Sequence, residues 1–298
     1  MANRFLRSIH NPRIVPISFL HRTCRWYPNK FYLKTLFRLE MGYSLNLDNP
    51  KTFNEKLNWM KIYYRNPLFP LLADKYLAKE YVAEKIGEQY LVPNFGVWDS
   101  ADDINFDELP NQFVLKATGD SSGIVICRDK SKLDIDTVKA RLSRCQNSNY
   151  YYFLREWVYK DIKSRIIADK FLDDNTGTEL LDYKFWCFNG IPKVMYCTNK
   201  GKEIFENFYD MNYDSIDINH GFQRKSPEFD KPAAFEEMKS LAAKLSEGIP
   251  FVRIDFFFVQ GKVYFGEFTF YDWGGMRPFA DKKWDDILGS WIKLPKPL

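Results

Sequence analysis

Histidine and cysteine are scarce in this chain of 298 residues, which contains three histidines and five cysteines. Histidine is the side chain that most often transfers protons near neutral pH, so this small supply argues against catalysis by histidine acid–base pairs. The cysteines are odd in number and have no close pairing, which indicates neither a disulfide framework nor a zinc site. We therefore expect the chemistry to depend on carboxylates, lysines and arginine.

Long apolar runs are also missing. No stretch approaches the roughly 20 apolar residues needed to cross a bilayer, and the N-terminal residues lack the apolar block and small-residue cleavage site of a signal peptide. We therefore expect a cytoplasmic protein. An apolar content of 45% and a charged content of 28% are typical of globular chains, and the length suffices for one large domain or two small ones.

Positive charge is concentrated at the N-terminus, although the net charge of the whole chain is only +4. Residues 1–40 contain eight Lys or Arg and a single acid, Glu40. We predict a basic helical arm over residues 1–48. It either packs on its own domain, which we favour because prolines interrupt it, or contacts an anionic membrane surface or glycan. The rest of the chain has no basic stripe, so we expect no nucleic-acid partner.

The most informative segment is Phe251–Tyr271, which has the pattern of two apolar strands joined by a short loop. We predict a three-residue loop, Val259–Gly261, because glycine at the last position favours the left-handed backbone that such a loop needs. This loop places Arg253 opposite Glu267. Because side chains alternate between the faces of a strand, four polar side chains then share one face: Arg253, Asp255, Glu267 and Thr269.

These four side chains permit two interpretations. Two carboxylates held by stiff strands beside an arginine can bind Mg²⁺ and phosphate oxygens. Alternatively, Arg253 and Glu267 are an ordinary cross-strand ion pair, which contributes up to about 1 kcal/mol to a hairpin. The hairpin alone does not distinguish a site from a structural pair.

Helix and strand patterns along the chain predict an α+β fold with mostly antiparallel strands. Thr52 and Glu55 form a capping-box pattern that opens one helix, and a second helix, LLADKYLAKEYVAEKIG, is expected to end at Gly87. Shorter helices are expected at residues 137–145 and before Gly248. Strands are expected in YLVPNFGVW, FVLKATGDSSGIVICRD, RIIADKFL, DYKFWCFNG and KVMYCTN.

Lys116 ends an apolar strand and precedes a turn of small residues, Gly119–Gly123. Backbone N–H groups in such a turn can approach phosphate oxygens closely, and a fixed ammonium adds positive charge. An ordinary hairpin turn beside an exposed lysine has the same pattern, because Gly/Ser turns join strands in many proteins. The segment is not a P-loop, which requires Gly-Lys-Ser/Thr at the start of a helix.

Other charged residues follow a definite order around these two segments. Lys75 and Lys79 lie in a predicted helix, where a solvated face is the simpler interpretation. Asp169 follows three apolar residues and can accept a hydrogen bond from a nucleotide base or ribose, unless it merely ends a strand. Lys184 alternates with Tyr183 and Phe185 in a strand pattern. Each signal is weak alone, but together they form an ordered series.

In this order the sequence resembles the ATP-grasp superfamily of carboxylate–amine ligases, and within it the TupA-like ATP-grasp family of bacterial surface-polysaccharide gene clusters. The resembling segments run from Asn49 to about Pro295 and include NPKTFNEKLNWMKIYYRNPLF, LPNQFVLKATGDSSGIVIC, LDYKFWCFNG and FVRIDFFFVQGKVYFGEFTFY. The resemblance implies an ATP-grasp fold over residues 49–298, in which two α+β subdomains clasp ATP. The lid subdomain would span about 94–168 and the core subdomain about 169–295.

The resemblance also implies ATP and Mg²⁺ as cofactors, and it assigns roles to individual residues. Catalysis would depend on Arg253, Lys116 and Lys184. The nucleotide would be bound by Lys75, Lys116, Gly119, Asp120, Ser121, Ser122, Gly123, Ala168, Asp169 and Phe171. Mg²⁺ would be bound by Asp255, Glu267 and Thr269.

Three positions depart from the family pattern, which has Asn at Thr269, Glu at Asp169, and a His and a Gly-Gly in the loop that reads TGDSSG here. A hydroxyl is a poorer Mg²⁺ ligand than an amide carbonyl, so these departures predict weaker metal binding or altered use of ATP.

The activity that the resemblance implies is amide formation between a uronic-acid-type saccharide and an amino compound through an acyl phosphate, in surface or capsular polysaccharide biosynthesis. One alternative is a glycosyltransferase of the same pathway, for which Asp134-Ile135-Asp136 is the available metal-binding motif. Another is a degenerate, non-catalytic ATP-grasp protein that binds a glycan or a partner.

Overall fold

A computed structural model of the protein describes residues 14–23, 25–120, 123–174, 180–199 and 203–296. The first 13 residues of the predicted arm lie outside these ranges. The described α-helices are α1 (Ile14–Thr23), α2 (Asn29–Met41), α3 (Phe53–Tyr63), α4 (Leu68–Ala73), α5 (Ala78–Ile86), α6 (Ile135–Gln146), α7 (Tyr151–Leu154), α8 (Phe235–Leu245) and α9 (Lys283–Trp291). The described strands are β1 (Asn94–Trp98), β2 (Phe113–Ala117), β3 (Ile124–Cys127), β4 (Ile166–Lys170), β5 (Asp182–Phe188), β6 (Ile191–Thr198), β7 (Glu206–Tyr209), β8 (Ser215–Ile216), β9 (Phe251–Val259) and β10 (Lys262–Thr269).

The strands form two sheets. A four-stranded sheet has the order β1-β4-β2-β3, and a six-stranded sheet has the order β10-β9-β5-β6-β7-β8. Neighbouring strands of both sheets are antiparallel, so the predicted α+β fold with mostly antiparallel sheets is confirmed. The boundary at about residue 168 that we proposed between two subdomains falls inside β4, and the division itself stays a proposal.

Each sheet has its own buried core. In the four-stranded sheet, Leu115 and Ala168 are fully buried in a small cluster that also contains Leu142 of α6. The six-stranded sheet lies in the main core between two helices: Phe53 of α3 packs on Trp186, whereas Phe235 of α8 packs on Phe185 from the opposite face. Both faces of the six-stranded sheet are thus covered by helices near Phe185 and Trp186. Lys184 and its cross-strand partner Asp255 lie on the Trp186 face, further along the strands.

Part of the basic arm belongs to the main core. Tyr32, Leu33, Leu36 and Phe37 of α2 are fully buried there, so the described end of the arm packs on its own domain. Within the described residues, no helix combines the length and the apolar character needed to cross a membrane.

Local sequence signals explain most helix ends. The predicted capping box is present, with the Thr52 hydroxyl and the Glu55 carboxylate each accepting a backbone N–H of the other residue. The second predicted helix is divided into α4 and α5, because the Asp74 carboxylate accepts the N–H groups of Tyr76 and Leu77 and forms a turn between the two helices. Gly87, with φ 111°, ends α5 as expected.

The predicted hairpin loop is wrong in length. The loop has two residues, Gln260 (φ 50°) and Gly261 (φ 77°), and Lys262 lies opposite Val259. This loop alone would put Asp255 and Glu267 on opposite faces, but a β-bulge between Phe265 and Glu267 adds one residue and restores them to one face.

Candidate active site

A cavity of about 330 Å³ lies between the polar faces of the two sheets. The four-stranded sheet contributes Val114, Lys116, Ile124, Ile126, Arg128 and Asp169, and the six-stranded sheet contributes Asp182, Lys184, Asp255, Phe257, Phe265, Gly266 and Glu267. Of the residues that we predicted for the site, those that line the cavity are Lys75, Lys116, Asp169, Phe171, Lys184, Asp255 and Glu267. The structure therefore brings together residues from both halves of the chain.

Lys75 ties the segment between α4 and α5 to the turn that follows β2. Its backbone N–H donates to the carbonyl of Thr118 (3.3 Å), and its Nζ donates to the carbonyl of Asp120 (2.5 Å). Burial lowers the pKa of Lys75. Gly119 also belongs to the turn, and its N–H donates to Ser164.

The turn Gly119–Gly123 is described only in part. The predicted residues Ser121 and Ser122 lie outside the described residues. At Gly123, a Cβ atom would lie 2.8 Å from the Cβ of Cys145 and 3.0 Å from that of Ala117. A side chain does not fit there, so this glycine is required for the close packing of the turn on α6 and β2.

Asp169 is already paired with two lysines. Its Oδ1 accepts from Nζ of Lys79 (2.6 Å) and from the amide of Asn94 (3.2 Å), and its Oδ2 accepts from Nζ of Lys116 (3.0 Å). Burial alone would raise the pKa of Asp169, but Lys116 and Lys79 lower it below its ordinary value. The carboxylate thus organises the lysines of this wall, and its predicted contact with a base or ribose stays a prediction.

Two neighbours of Asp169 occupy different places. Ala168 faces away from the cavity, with its side chain fully buried in the core of the four-stranded sheet. Phe171 lines the cavity, and the guanidinium carbon of Arg128 lies 4.9 Å from the centre of its ring. Arg128 therefore adds positive charge and Phe171 an aromatic face to this side of the cavity.

The hairpin carries a dense network of charges, which we call the metal edge and define as Arg253, Asp255, Glu267 and Lys184. Nε and Nη2 of Arg253 donate to the two carboxylate oxygens of Asp255 (2.7 and 2.8 Å), and Nη2 also contacts Oε1 of Glu267 (3.1 Å). Lys184 donates to Asp255 and lies 3.2 Å from Asp182. These groups lie close together as predicted, but the predicted pairing of Arg253 with Glu267 is wrong. The bulge places Glu267 opposite Asp255 and Thr269 opposite Arg253.

The charges of the metal edge stabilise one another despite their burial. Burial alone would raise the pKa of Asp255, but Arg253 and Lys184 lower it. Burial alone would lower the pKa values of Arg253 and Lys184, but the neighbouring carboxylates raise both. All three groups are therefore ionised at neutral pH.

The metal edge also offers oxygen ligands that fit Mg²⁺. Asp255 and Glu267 lie opposite each other on neighbouring strands, and both line the cavity. The side chain of Glu267 is 40% exposed, whereas that of Asp255 is 5% exposed and is held by Arg253 and Lys184. Mg²⁺ commonly takes one or two carboxylates and completes its shell with waters and substrate phosphates. Asp255 and Glu267 fit such a site if Asp255 replaces its contact with Arg253 or Lys184 by a contact with Mg²⁺.

A family model for TupA-like ATP-grasp proteins matches residues 55–293, about four fifths of the chain. This protein belongs to the TupA-like ATP-grasp family. Membership confirms the predicted family and its ATP-grasp fold. No curated protein matches the chain in sequence.

Solved structures similar to this ATP-grasp protein include two D-alanine–D-alanine ligases. The enzyme from Bacillus anthracis in complex with ATP is 15% identical, with a TM-score of 0.41, over 72% of this chain and 55% of that one. The enzyme from Helicobacter pylori is 17% identical, with a TM-score of 0.43, over 80% and 69%. The ATP-grasp ligase PsnB with its minimal precursor is 10% identical, with a TM-score of 0.40, over 72% and 59%. The chain thus spans little more than half of the Bacillus anthracis enzyme.

The Asp134-Ile135-Asp136 motif, which the glycosyltransferase alternative requires, has a structural role in this ATP-grasp protein. Asp134 is the N-cap of α6, where its carboxylate accepts the backbone N–H (3.1 Å) and the hydroxyl (2.6 Å) of Thr137. Neither aspartate lines the cavity between the sheets. The motif is therefore explained as a helix cap.

Sequence reasoning missed two members of this ATP-grasp site. Lys79 is bound to Asp169 rather than solvated, and its place one helical turn after Lys75 was an available signal. Asp272 is buried, and its Oδ1 accepts from Nη1 of Arg253 (2.6 Å). It lies after the end of β10, where alternation along a strand no longer predicts which way a side chain faces.

Proposed function

We propose that this protein is an ATP-dependent carboxylate–amine ligase that forms an amide through an acyl phosphate. The observation that carries this proposal is the single cavity in which lysines from both sheets meet the carboxylate pair of the metal edge. Phosphoryl transfer needs positioned cations around the phosphate oxygens more than it needs a covalent side chain. The scarcity of histidine in the chain agrees with such chemistry.

The roles of the residues follow from their positions. Lys75 and Lys116 would bind the phosphates of ATP, and Arg253 with Lys184 would hold the transferred phosphoryl group. Asp255 and Glu267 would hold Mg²⁺, with Thr269 as a more distant third candidate. When bound, Mg²⁺ would neutralise phosphate oxygens.

The proposed reaction has two balanced steps. A carboxylate oxygen of the acid attacks the γ-phosphorus of ATP, and ADP leaves. The amine nitrogen then attacks the acyl carbon, inorganic phosphate leaves with the oxygen that the carboxylate contributed, and the nitrogen loses a proton to solvent. The enclosed space between the sheets would limit hydrolysis of the acyl phosphate.

For the substrates, we propose a uronic-acid-type saccharide and an amino compound in surface or capsular polysaccharide biosynthesis. The proposal rests on the family resemblance and on the basic N-terminal segment, which has eight Lys or Arg and one acid in residues 1–40. We place the protein in the cytoplasm, where this segment would contact the anionic inner face of the membrane. The absence of a membrane-crossing helix in the described residues is compatible with this peripheral contact.

A screen of ADP release tests the activity. Wild-type protein is incubated with ATP, Mg²⁺ and each of a set of uronic acids and their nucleotide forms, with amino acids as amine donors. Asp255→Asn should abolish the ADP release that depends on substrate, because the carboxylate pair loses one charge. Asp134→Asn, which changes a similar acid at an exposed helix cap, should retain it.

Two results would oppose the proposal. Undiminished ADP release in the Asp255→Asn variant would exclude the assigned metal edge. Failure of the wild type to bind ATP with Mg²⁺ in a calorimetric titration would favour the non-catalytic glycan-binding or partner-binding alternative.

A further inference from the structure

A second group of functional side chains lies outside the ATP cavity, on the loop that follows β10. This loop, Asp272–Arg277, begins at the carboxylate that contacts Arg253. Its Trp273 is 42% exposed, which is unusual for so large an apolar side chain. The ring of Trp273 lies 5.6 Å from the ring of Phe222, centre to centre.

Arg277 lies close to both of these rings. Its guanidinium carbon is 4.4 Å from the ring centre of Trp273 and 4.8 Å from that of Phe222. Nε donates to the carbonyl of His220 (2.8 Å), and within the described part of the chain the two terminal NH₂ groups form no hydrogen bond or ion pair. Burial lowers the pKa of Arg277, and the carboxylates of Glu206, Asp272 and Glu40 oppose that shift without a direct contact. An arginine that is held by its inner edge beside two rings keeps its planar outer edge for an anion.

The backbone of the loop is held in a left-handed conformation over three consecutive residues. Trp273, Gly274 and Gly275 have φ values of 47°, 63° and 59°, which is uncommon for a residue such as tryptophan. At Gly275 a Cβ atom would lie 2.9 Å from both Leu57 and Asn58, so a side chain would clash as well as strain the backbone. Glycine adopts positive φ without cost, so the strain lies at Trp273 alone. A strained residue of this kind persists where the surrounding structure imposes it.

The surrounding structure is a row of buried polar side chains on α3, at the helical spacing i, i+4 and i+7. Asn54 donates to the carbonyl of Arg277 (3.2 Å), Asn58 to that of Gly275 (2.8 Å) and Lys61 to that of Gly274 (2.6 Å). We call these three residues the loop anchor. Three buried side chains therefore fix the backbone that presents Trp273 and Arg277.

The position of the loop relates it to the proposed reaction. Arg253 does not line the nucleotide cavity, but it contacts Asp255 and Glu267 on one side and Asp272 on the other. A carboxylate that meets the transferred phosphoryl group at Arg253 must belong to a molecule that extends away from the nucleotide. The loop starts at Asp272, which pairs with Nη1 of Arg253, so the chain runs from this contact directly to Trp273.

We propose that the Asp272–Arg277 loop, together with Phe222, binds the saccharide substrate, and that Arg277 holds an anionic group of the saccharide other than the reacting carboxylate. The inference rests on the proposed ligase function and names the substrate class of that site: a sugar ring that carries two anions. Trp273 offers its ring to the apolar face of the sugar. The second anion is a phosphate at the anomeric carbon or the carboxylate of a neighbouring uronate, which share the geometry that a guanidinium recognises.

Binding of defined saccharides to the full-length protein tests this inference. The probes are glucuronic acid 1-phosphate, digalacturonic acid and the neutral methyl glucoside, each titrated calorimetrically. We expect at least one dianionic probe to bind about 10-fold or more tightly than the glucoside, and the probe that does so identifies the source of the second anion. Arg277→Gln should remove this advantage, because an arginine–anion contact is commonly equivalent to about 10- to 100-fold in affinity.

Variants at Trp273 separate stacking from folding. Trp273→Ala should weaken every saccharide probe about 3- to 10-fold, whereas Trp273→Phe, which keeps a ring, should bind like the wild type. Trp26→Ala, at a tryptophan that is 79% exposed on the N-terminal segment, is the matched control and should change none of the affinities. The affinity for ATP with Mg²⁺ should be unchanged in all of these variants.

Two outcomes would overturn the inference: no preference of the wild type for a dianionic probe, or unchanged saccharide affinities in Arg277→Gln and Trp273→Ala. These outcomes differ from failure of the proposed function. A wild type that does not bind ATP would oppose the ligase proposal while its saccharide affinities still decide the role of the loop.

Discussion

Two buried carboxylates lie near Arg253: Asp255 in the metal edge and Glu156 beside Gly274 of the Asp272–Arg277 loop. Their pKa values shift in opposite directions. Asp255 receives direct hydrogen bonds from Arg253 and Lys184, and its pKa is lowered. Glu156 is equally buried, and burial raises its pKa to about 7, with Asp272 adding to the rise and Lys61 and Arg253 opposing it. Direct contact with cations decides the first case and desolvation the second.

The metal edge and the loop anchor use their positively charged side chains in different ways. At the metal edge the positive groups are directed at carboxylates, so a dense set of charges is kept ionised for phosphate and metal. In the loop anchor, Lys61 donates to the carbonyls of Leu154 (2.9 Å) and Gly274 (2.6 Å). Burial lowers the pKa of Lys61 to about 8. The loop anchor therefore fixes the backbone of the loop, whereas the cations of the metal edge keep its carboxylates ionised.

The largest effect is expected from breaking the metal edge at Arg253. Arg253→Met leaves Asp255 and Asp272 buried with fewer cations, which should lower the free energy of unfolding by about 3–5 kcal/mol. Lys163→Met, which removes an exposed pair with Asp99, is the control and should cost no more than about 1 kcal/mol. Urea unfolding at pH 7 measures both. Equal losses in the two variants would show that the network adds no stability beyond a surface pair.

An intermediate effect on the free energy of unfolding is expected from the titration of Glu156. Because its folded pKa, about 7, lies above the ordinary value of 4.5, the folded state holds this proton more tightly than the unfolded state. Its contribution to stability is therefore present at low pH and is lost as pH rises between about 4.5 and 7, by on the order of 2–3 kcal/mol. Glu156→Gln should remove that fall.

Urea unfolding of wild type and Glu156→Gln at pH 5, 6 and 7 checks this sign. The variant should gain stability relative to the wild type as the pH rises. Asp255, whose pKa is lowered, loses its contribution only in more acidic solution and does not affect this window. Parallel curves for the two proteins would refute the raised pKa of Glu156.

The smallest effect is expected from a change that sharpens the metal edge. Thr269→Asn supplies an amide oxygen in place of a hydroxyl next to the carboxylate pair, and it should tighten Mg²⁺ binding about 2- to 10-fold. The Mg²⁺ dependence of ATP binding measures the change. Thr198→Asn at the end of β6 is the control and should have no effect. If both variants behave like the wild type, Thr269 lies too far from the metal to be a ligand.

Local patterns in the sequence predicted much of the metal edge but not its register. Alternation placed Asp255 and Glu267 on one face, and this grouping is observed. The route to it was wrong, because we expected a three-residue loop where the chain has a two-residue loop and a bulge. At Gly266, a Cβ atom would approach the carbonyl oxygen of Asp255 to 3.0 Å. A glycine inside a strand pattern is a known sign of a bulge, so this part was accessible to closer reading.

The loop anchor could not be predicted in the same way. For α3 the sequence predicted the start of the helix, from the capping box at Thr52 and Glu55, and no role for the polar residues that follow. In the structure Asn54, Asn58 and Lys61 are as buried as the apolar row of this helix. Their partners are backbone carbonyls more than 200 residues later in the chain. Sequence periodicity identifies a buried apolar face, but it carries no information about a distant loop that covers the opposite face.

The bulge in β10 also has a consequence for changes in chain length. Register in this hairpin is set at two points, the two-residue turn and the extra residue before Glu267. Deleting one residue between these two points would move every later side chain of β10 to the opposite face of the sheet. Glu267 would then no longer lie beside Asp255. Substitutions in this stretch can therefore weaken the metal edge by degrees. A single insertion or deletion instead removes the pairing of Glu267 with Asp255 completely, and only a second change of chain length nearby would restore it.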